Sequence, residues 1–161
     1  MDIMGIIICQ IWDLKKTRQE VLMLPYQTRV SYRTVGPNKT AGNLSCGFIY
    51  KPDSRWSNRN ITFDHYGGLL LLDGEGEYTD HNHNGVKLSR SCFIQRLPGI
   101  KHSTLVKPDG KWLEFFICIS AESYHNLLAM GLMSDQPVMR CDEAAVEEFL
   151  PAAQKMLASM Q

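Results

Sequence analysis

Histidines and carboxylates at short spacing are the first groups to weigh. His81-Asn82-His83 sets two imidazoles two residues apart, the spacing of a metal-binding pair when both sit on one face of a strand. The pair stands beside Asn84-Gly85, a strong hairpin signal, and a hairpin tip gives residues two apart no common face. Solvated loop histidines are therefore expected. Glu75 and Glu77 have the spacing of a general acid and base. Glu75 lies within the turn signal Gly74-x-Gly76 and Glu77 follows it, and both are expected at the surface. Leu97-Pro98-Gly99-Ile100-Lys101-His102 is a Pro-Gly turn with a histidine three residues on. Trp56 and Trp112 are read as packing residues. No Ser-His-Asp or Cys-His arrangement, P-loop or dinucleotide fingerprint is recognisable.

Cys9, Cys46, Cys92, Cys118 and Cys141 are odd in number and widely separated. Neither a disulfide framework nor a zinc site is indicated, and reduced thiols in a cytoplasmic protein fit that usage. Cys118, inside Phe115-Phe116-Ile117-Cys118-Ile119, is expected to pack as a small core residue. Lysine plus arginine balances aspartate plus glutamate, 17 against 17. That balance argues against a nucleic-acid-binding surface, which needs a basic excess, and gives no electrostatic reason to sit on a membrane. The apolar run Met4–Trp12 is too short to span a bilayer and lacks the flanks of a signal peptide. The sequons at Asn38, Asn43 and Asn60 are discounted. Gln19-Glu20-Val21 can be encoded by a purine-rich ribosome-binding sequence, which makes Met23 a second expected start of translation.

The elements that must position these groups are strands. A chain of 161 residues is one domain, or one domain with a small appendage, able to bury about two thirds of its unfolded surface. Val30–Val35 alternates with period two, and Cys46–Tyr50 is a second strand candidate. Lys51–Asn60 reads as a loop, and Ile61–Phe63 as a short strand. Tyr66–Leu72 is an unbroken apolar strand, expected to be buried on both faces. Glu77–Thr79 and Val86–Leu88 flank the Asn84-Gly85 hairpin, and Cys92–Leu97 is the next strand. His102–Val106 and Lys111–Ile119 are expected to form a hairpin around Pro108-Asp109-Gly110. Short strands at this spacing imply a jelly-roll sandwich or barrel. After Ser120 the period becomes helical. Ala121–Leu132 places Tyr124, Leu127, Leu128 and Gly131 on one side. Asp142–Met160 lines up Val146, Phe149, Leu150, Ala153, Met156, Leu157 and Met160. Pro151 should kink that helix or start a new one. Its stripe either packs on its own barrel or faces a second subunit.

Taken in order, Arg59, Leu69–Gly76, Pro98-Gly99-Ile100-Lys101-His102, Lys111-Trp112-Leu113-Glu114-Phe115-Phe116 and Ser123–Leu128 resemble the N-terminal sensor domain of the arabinose-regulator (AraC) family of bacterial transcription factors. The resemblance covers about Gly36 to Gly131. It implies a mainly β protein, a cupin-like jelly-roll barrel followed by two C-terminal helices. Residues 1–27 form an N-terminal arm, 28–120 the barrel, and 121–161 helices that pair subunits. The barrel holds a small effector, often a sugar. The helix-turn-helix module that normally follows is missing from this chain, so a sensor fragment of a longer, cytoplasmic regulator is expected.

Carried over position by position, Arg59 matches the family arginine that hydrogen-bonds effector hydroxyls, a task suited to its planar fork of donors. Thr104, Glu114 and Phe116 stand where the arabinose regulator has a tyrosine, a histidine and a tryptophan touching sugar. The resemblance thus implies ligand binding by Arg59, His102, Thr104, Glu114 and Phe116, with His102 near the pocket mouth. Ser91-Cys92 replaces the usual Gly-Asp before the Phe93 strand. Metal-dependent cupin enzymes need two histidines and a glutamate ahead of the Gly-x-Gly. Here that region offers only His65, with Gly67 about where the glutamate should be. A non-catalytic domain binding a sugar or other small polar effector, with no metal or cofactor, no membrane contact and homodimers through its C-terminal helices, is the expectation. DNA would be bound only through the missing module. A metal-dependent isomerase or oxygenase, and a dimerisation module with a vestigial pocket, are the alternatives.

Overall fold

The computed structural model describes residues 29–34 and 43–160. Ten strands are described: β1 (Arg29–Thr34), β2 (Asn43–Lys51), β3 (Asn58–Ile61), β4 (His65–Asp73), β5 (Gly76–Asp80), β6 (Val86–Leu88), β7 (Cys92–Arg96), β8 (His102–Val106), β9 (Trp112–Ser120) and β10 (Val138–Arg140). Two helices, α1 (Ala121–Ala129) and α2 (Glu143–Ser159), lie toward the C-terminus. One sheet has the order β1-β2-β9-β4-β7-β10 and the other β3-β8-β5-β6; every pairing is antiparallel. The protein is thus mainly β, two antiparallel sheets with two helices toward the C-terminus.

Strand alternation divides the interior in two. On β9, Trp112, Glu114, Phe116 and Cys118 face the opposing sheet, while Leu113, Phe115 and Ile117 face α2. Tyr66–Leu72 is continuous because β4 serves both layers. Leu69 and Leu71 pack between the sheets with Tyr78, Leu88, Cys92, Ile94, Val106 and Trp112. Leu70 and Leu72 pack outward with Cys46, Phe48 and Phe115 against Val146, Leu150, Ala153 and Leu157 of α2. The helical stripe therefore packs on its own barrel. Burying each of its Val and Leu side chains is worth about 1.5–3 kcal/mol.

Several boundaries differ from the sequence reading. β8 and β9 do not pair: they lie in different sheets, and Pro108-Asp109-Gly110 carries the chain from one to the other. Local turn chemistry specifies a reversal but not the partner, which here is fixed by burial. The short strand runs Asn58–Ile61, because its ladder to β8 places Asn58 opposite Thr104 and Ile61 opposite His102. Asn60 takes the left-handed region, φ 51°, within that irregular ladder. Helix α1 ends at Ala129, sooner than its pattern, since Gly131 (φ 71°) sets a left-handed cap. Leu132 N–H then donates to Leu127 O and Gly131 N–H to Leu128 O, the two bonds of a Schellman end. Helix α2 runs unbroken through Pro151, which is exposed, so water can replace the missing backbone bond. β10 follows Pro137 and is too short for a periodicity signal.

The Gly74-x-Gly76 turn has a steric cause. Gly74 has φ 96°, and a Cβ there would lie 2.7 Å from Trp112 Cα. A Cβ on Gly76 would lie 2.1 Å from Leu105 O. Two backbones close on this turn, and only glycine admits both. Ser91 also sits in the left-handed region, at φ 67°.

Candidate functional site in the barrel

The apolar residues between the sheets fill one end of the barrel. The other end is open as a cavity of about 270 Å³. β2 supplies Ile49 and Lys51, β4 supplies His65, Gly67 and Gly68, β9 supplies Glu114, Phe116 and Cys118, and β7 supplies Arg96. Trp56, Asn58 and Phe63 complete the wall. Trp56, 48% exposed, stands at the solvent side rather than in the core.

A charged network borders this space. Glu114 is 1% exposed, and both of its oxygens lie 2.9 Å from Lys51 Nζ. Trp112 Nε1–H donates to Glu114 Oε2 at 2.6 Å. Burial pulls the Lys51 ammonium below its ordinary range; the Glu114 charge works against that pull. A buried ion pair holds when geometry is good and the remaining lone pairs are satisfied, and Trp112 supplies the further bond.

Opposite lies Arg96. It pairs across the ladder with Gly67, which also pairs with Cys118. Lacking a side chain, Gly67 leaves room over the sheet: a Cβ added there would sit in ordinary contact with Arg96 Cβ at 3.7 Å and Cys118 Sγ at 3.8 Å. The Arg96 guanidinium lies 5.9 Å from the Phe63 ring centroid, a cation–π distance. Its Nε and Nη2 are shielded from solvent and have no hydrogen-bond partner among the described residues. Burial raises the Cys118 thiol above its ordinary value, with Arg96 opposing, so the neutral thiol faces the cavity.

Of the residues named from the sequence, Glu114 and Phe116 line the cavity. His102 and Thr104 are 2% and 1% exposed on the inward side of β8, but they do not line it. Nδ1 of His102 is 3.1 Å from Ile100 O. Burial lowers the His102 pKa, which favours neutral imidazole with Nδ1–H donating and Nε2 an acceptor. That Nε2 and Thr104 Oγ1 are buried without partners among the described residues. Arg59 is exposed on β3, and the neighbour on that strand that lines the cavity is Asn58. The guanidinium inside the barrel belongs to Arg96. The sequence reading passed over it, although Cys92, Ile94 and Arg96 share one face of β7 by simple alternation.

The other groups weighed lie elsewhere. His81 is exposed, and His83 Nδ1 lies 2.9 Å from Asp80 Oδ1. Glu75 and Glu77 pair with Lys107 and Lys87. Trp112 is fully buried. Among the described residues no group of three or more His, Cys, Asp or Glu is arranged to hold a metal ion, and no helix is long and apolar enough to cross a membrane. The arm, 1–27, lies outside the described residues.

No family model matches the chain, and no curated protein is similar to it. Solved structures are. The protein YhaK from Escherichia coli has a TM-score of 0.44 and 16% identity, covering 71% of this chain and 50% of its own. An RmlC-like cupin family protein with a double-stranded β-helix fold from Methanocaldococcus jannaschii has a TM-score of 0.42 and 11% identity, covering 62% and 86%. The cupin domain of Cnp3 from Schizosaccharomyces pombe has a TM-score of 0.42 and 9% identity, covering 70% and 80%.

Proposed function

We propose that this chain is a non-catalytic sensor domain that binds a small polar effector, of the carbohydrate class, inside the barrel. In this reading it serves a transcriptional regulator of the AraC type. It pairs with a second copy through its C-terminal helices, and DNA is contacted by a helix-turn-helix module outside this chain. The observation that carries the reading is the cavity between the sheets, where the buried polar groups of Lys51, Glu114 and Arg96 stand beside the Phe63 and Phe116 rings. Pockets for polar ligands combine an apolar wall with a few fixed polar groups in this way. For binding to signal, the ligand must favour one arrangement of the arm or helices over another.

The test is a thermal-shift screen of sugars and sugar derivatives against the whole chain and against Gly67→Leu. Gly67→Leu projects a side chain into the cavity from the middle of a strand. The effector should raise the melting temperature of the wild type and leave that of the variant unchanged. An equal rise in both would place the ligand elsewhere. Stoichiometric iron, manganese or zinc in freshly purified protein would instead favour an enzyme.

A further inference from the structure

We infer that the effector carries a carboxylate, or an equivalent planar anion, and that the Nε–Nη2 edge of Arg96 holds it. The inference rests on the sensor reading above and narrows its ligand class.

Three observations support it. The first is a charge inventory. Lys51, Arg96 and Glu114 line the cavity, and Glu114 is already engaged by Lys51 and Trp112. His65, at the rim, has exposed Asp64 beside it at 2.8 Å. The nearby Asp80 carboxylate is occupied by Tyr78 Oη, His83 Nδ1 and the backbone N–H groups of Asn82 and His83. One half-buried cation, Arg96, whose Nε and Nη2 are shielded from solvent, is left without an anion among the described residues, an arrangement that costs stability unless something neutralises it.

The second is geometric. Nε–H and one Nη2–H of an arginine are parallel donors on one edge, spaced for the two oxygens of a carboxylate. Both of these Arg96 atoms lack a partner among the described residues. The same edge of Arg55, at the surface of this molecule, takes Asp53 in that manner, Nε to Oδ1 at 3.0 Å and Nη2 to Oδ2 at 2.7 Å. The third is space. Gly67, opposite Arg96 in the ladder, keeps the guanidinium clear of a neighbouring side chain. The cavity of about 270 Å³ leaves space for a small organic acid.

The experiment titrates the whole chain with sodium acetate, sodium D-glucuronate and D-glucose at constant ionic strength set by sodium chloride. It follows the arginine Nε–H resonances by NMR. Acetate and glucuronate should shift the Arg96 signal saturably, and sodium chloride alone should not. Arg96→Met should abolish the response. It should also raise the melting temperature of the free protein by about 2–4 °C, because a half-buried charge with two shielded, unpartnered N–H groups has been removed; an arginine with a purely structural role would lower it. An Arg96 signal that neither carboxylate moves, or that chloride moves equally, overturns the anion assignment. A saturable response to glucose alone overturns it too, while leaving the sensor reading standing. Carboxylate binding that survives in Arg96→Met places the anion elsewhere and equally overturns it.

Discussion

The Lys51–Glu114–Trp112 group shows how one residue can control both stability and ligand space. Lys51→Met leaves a carboxylate 1% exposed without its cation, which should cost about 3–5 kcal/mol in chemical denaturation. The double variant Lys51→Met with Glu114→Leu removes both charges and should recover most of that loss. A double variant as unstable as the single one would show that packing, not charge, is at issue. His102 gives the barrel a pH signature. Burial holds its pKa below the ordinary 6.5, so the unfolded chain takes up a proton before the folded one does. Stability is then fully present above pH 6.5 and declines as pH falls toward the folded pKa. The slope is at most about 1.4 kcal/mol per pH unit for one proton. His102→Gln should flatten that part of the curve, read from denaturant midpoints between pH 5 and pH 8; an unchanged slope would assign it to other groups.

Among the elements, the sharpest test is the turn between β4 and β5. Gly76→Ala would drive a methyl against the backbone oxygen of Leu105 at 2.1 Å, which cannot swing aside, and should cost about 4 kcal/mol or more. Gly85→Ala, at φ 63° with open space around it, should cost only about 1–2 kcal/mol. Similar midpoints for the two would mean that the β4–β5 crossover relaxes freely. This turn was legible in the sequence, as were the two-faced β4, the β5–β6 hairpin and the helical ending, because each is written in local periodicity or in glycine chemistry. The pairing of β8 with β3 and β5, and the three-residue β10, were not legible. They depend on contacts between residues far apart, such as Gln95, whose Nε2 donates to Ser134 O and Gln136 O while its Oε1 accepts from Tyr66 Oη. The cavity was half legible. The resemblance by position pointed to Glu114 and Phe116, which line it, but equally to Arg59, which is exposed on β3. The period-two rule applied to β7 would have found Arg96.

For the whole molecule, the question is how, in the function proposed above, occupancy of the barrel would reach a second copy. Helix α2 has already committed Val146, Leu150, Ala153 and Leu157 to its own sheet, so a dimer through this helix must use what remains. Phe149 is the large apolar side chain of α2 left partly outside, 39% exposed, with its ring edge-on to Phe115 at 5.4 Å. Phe115 sits on β9 between Glu114 and Phe116, which line the cavity from the other face. One strand thus separates the ligand from the proposed contact by the thickness of a sheet. Deleting residues 142–161 is a poor test, since it would uncover Phe48, Leu70, Leu72 and Phe115 and should give aggregation rather than monomers. Phe149→Glu keeps the inward stripe intact. By sedimentation at tens of micromolar, a dimeric wild type and a folded, monomeric Phe149→Glu are the expected pair. A monomeric wild type would remove the subunit contact altogether, and a variant as dimeric as the parent would move it off α2; either result would require another route out of the barrel.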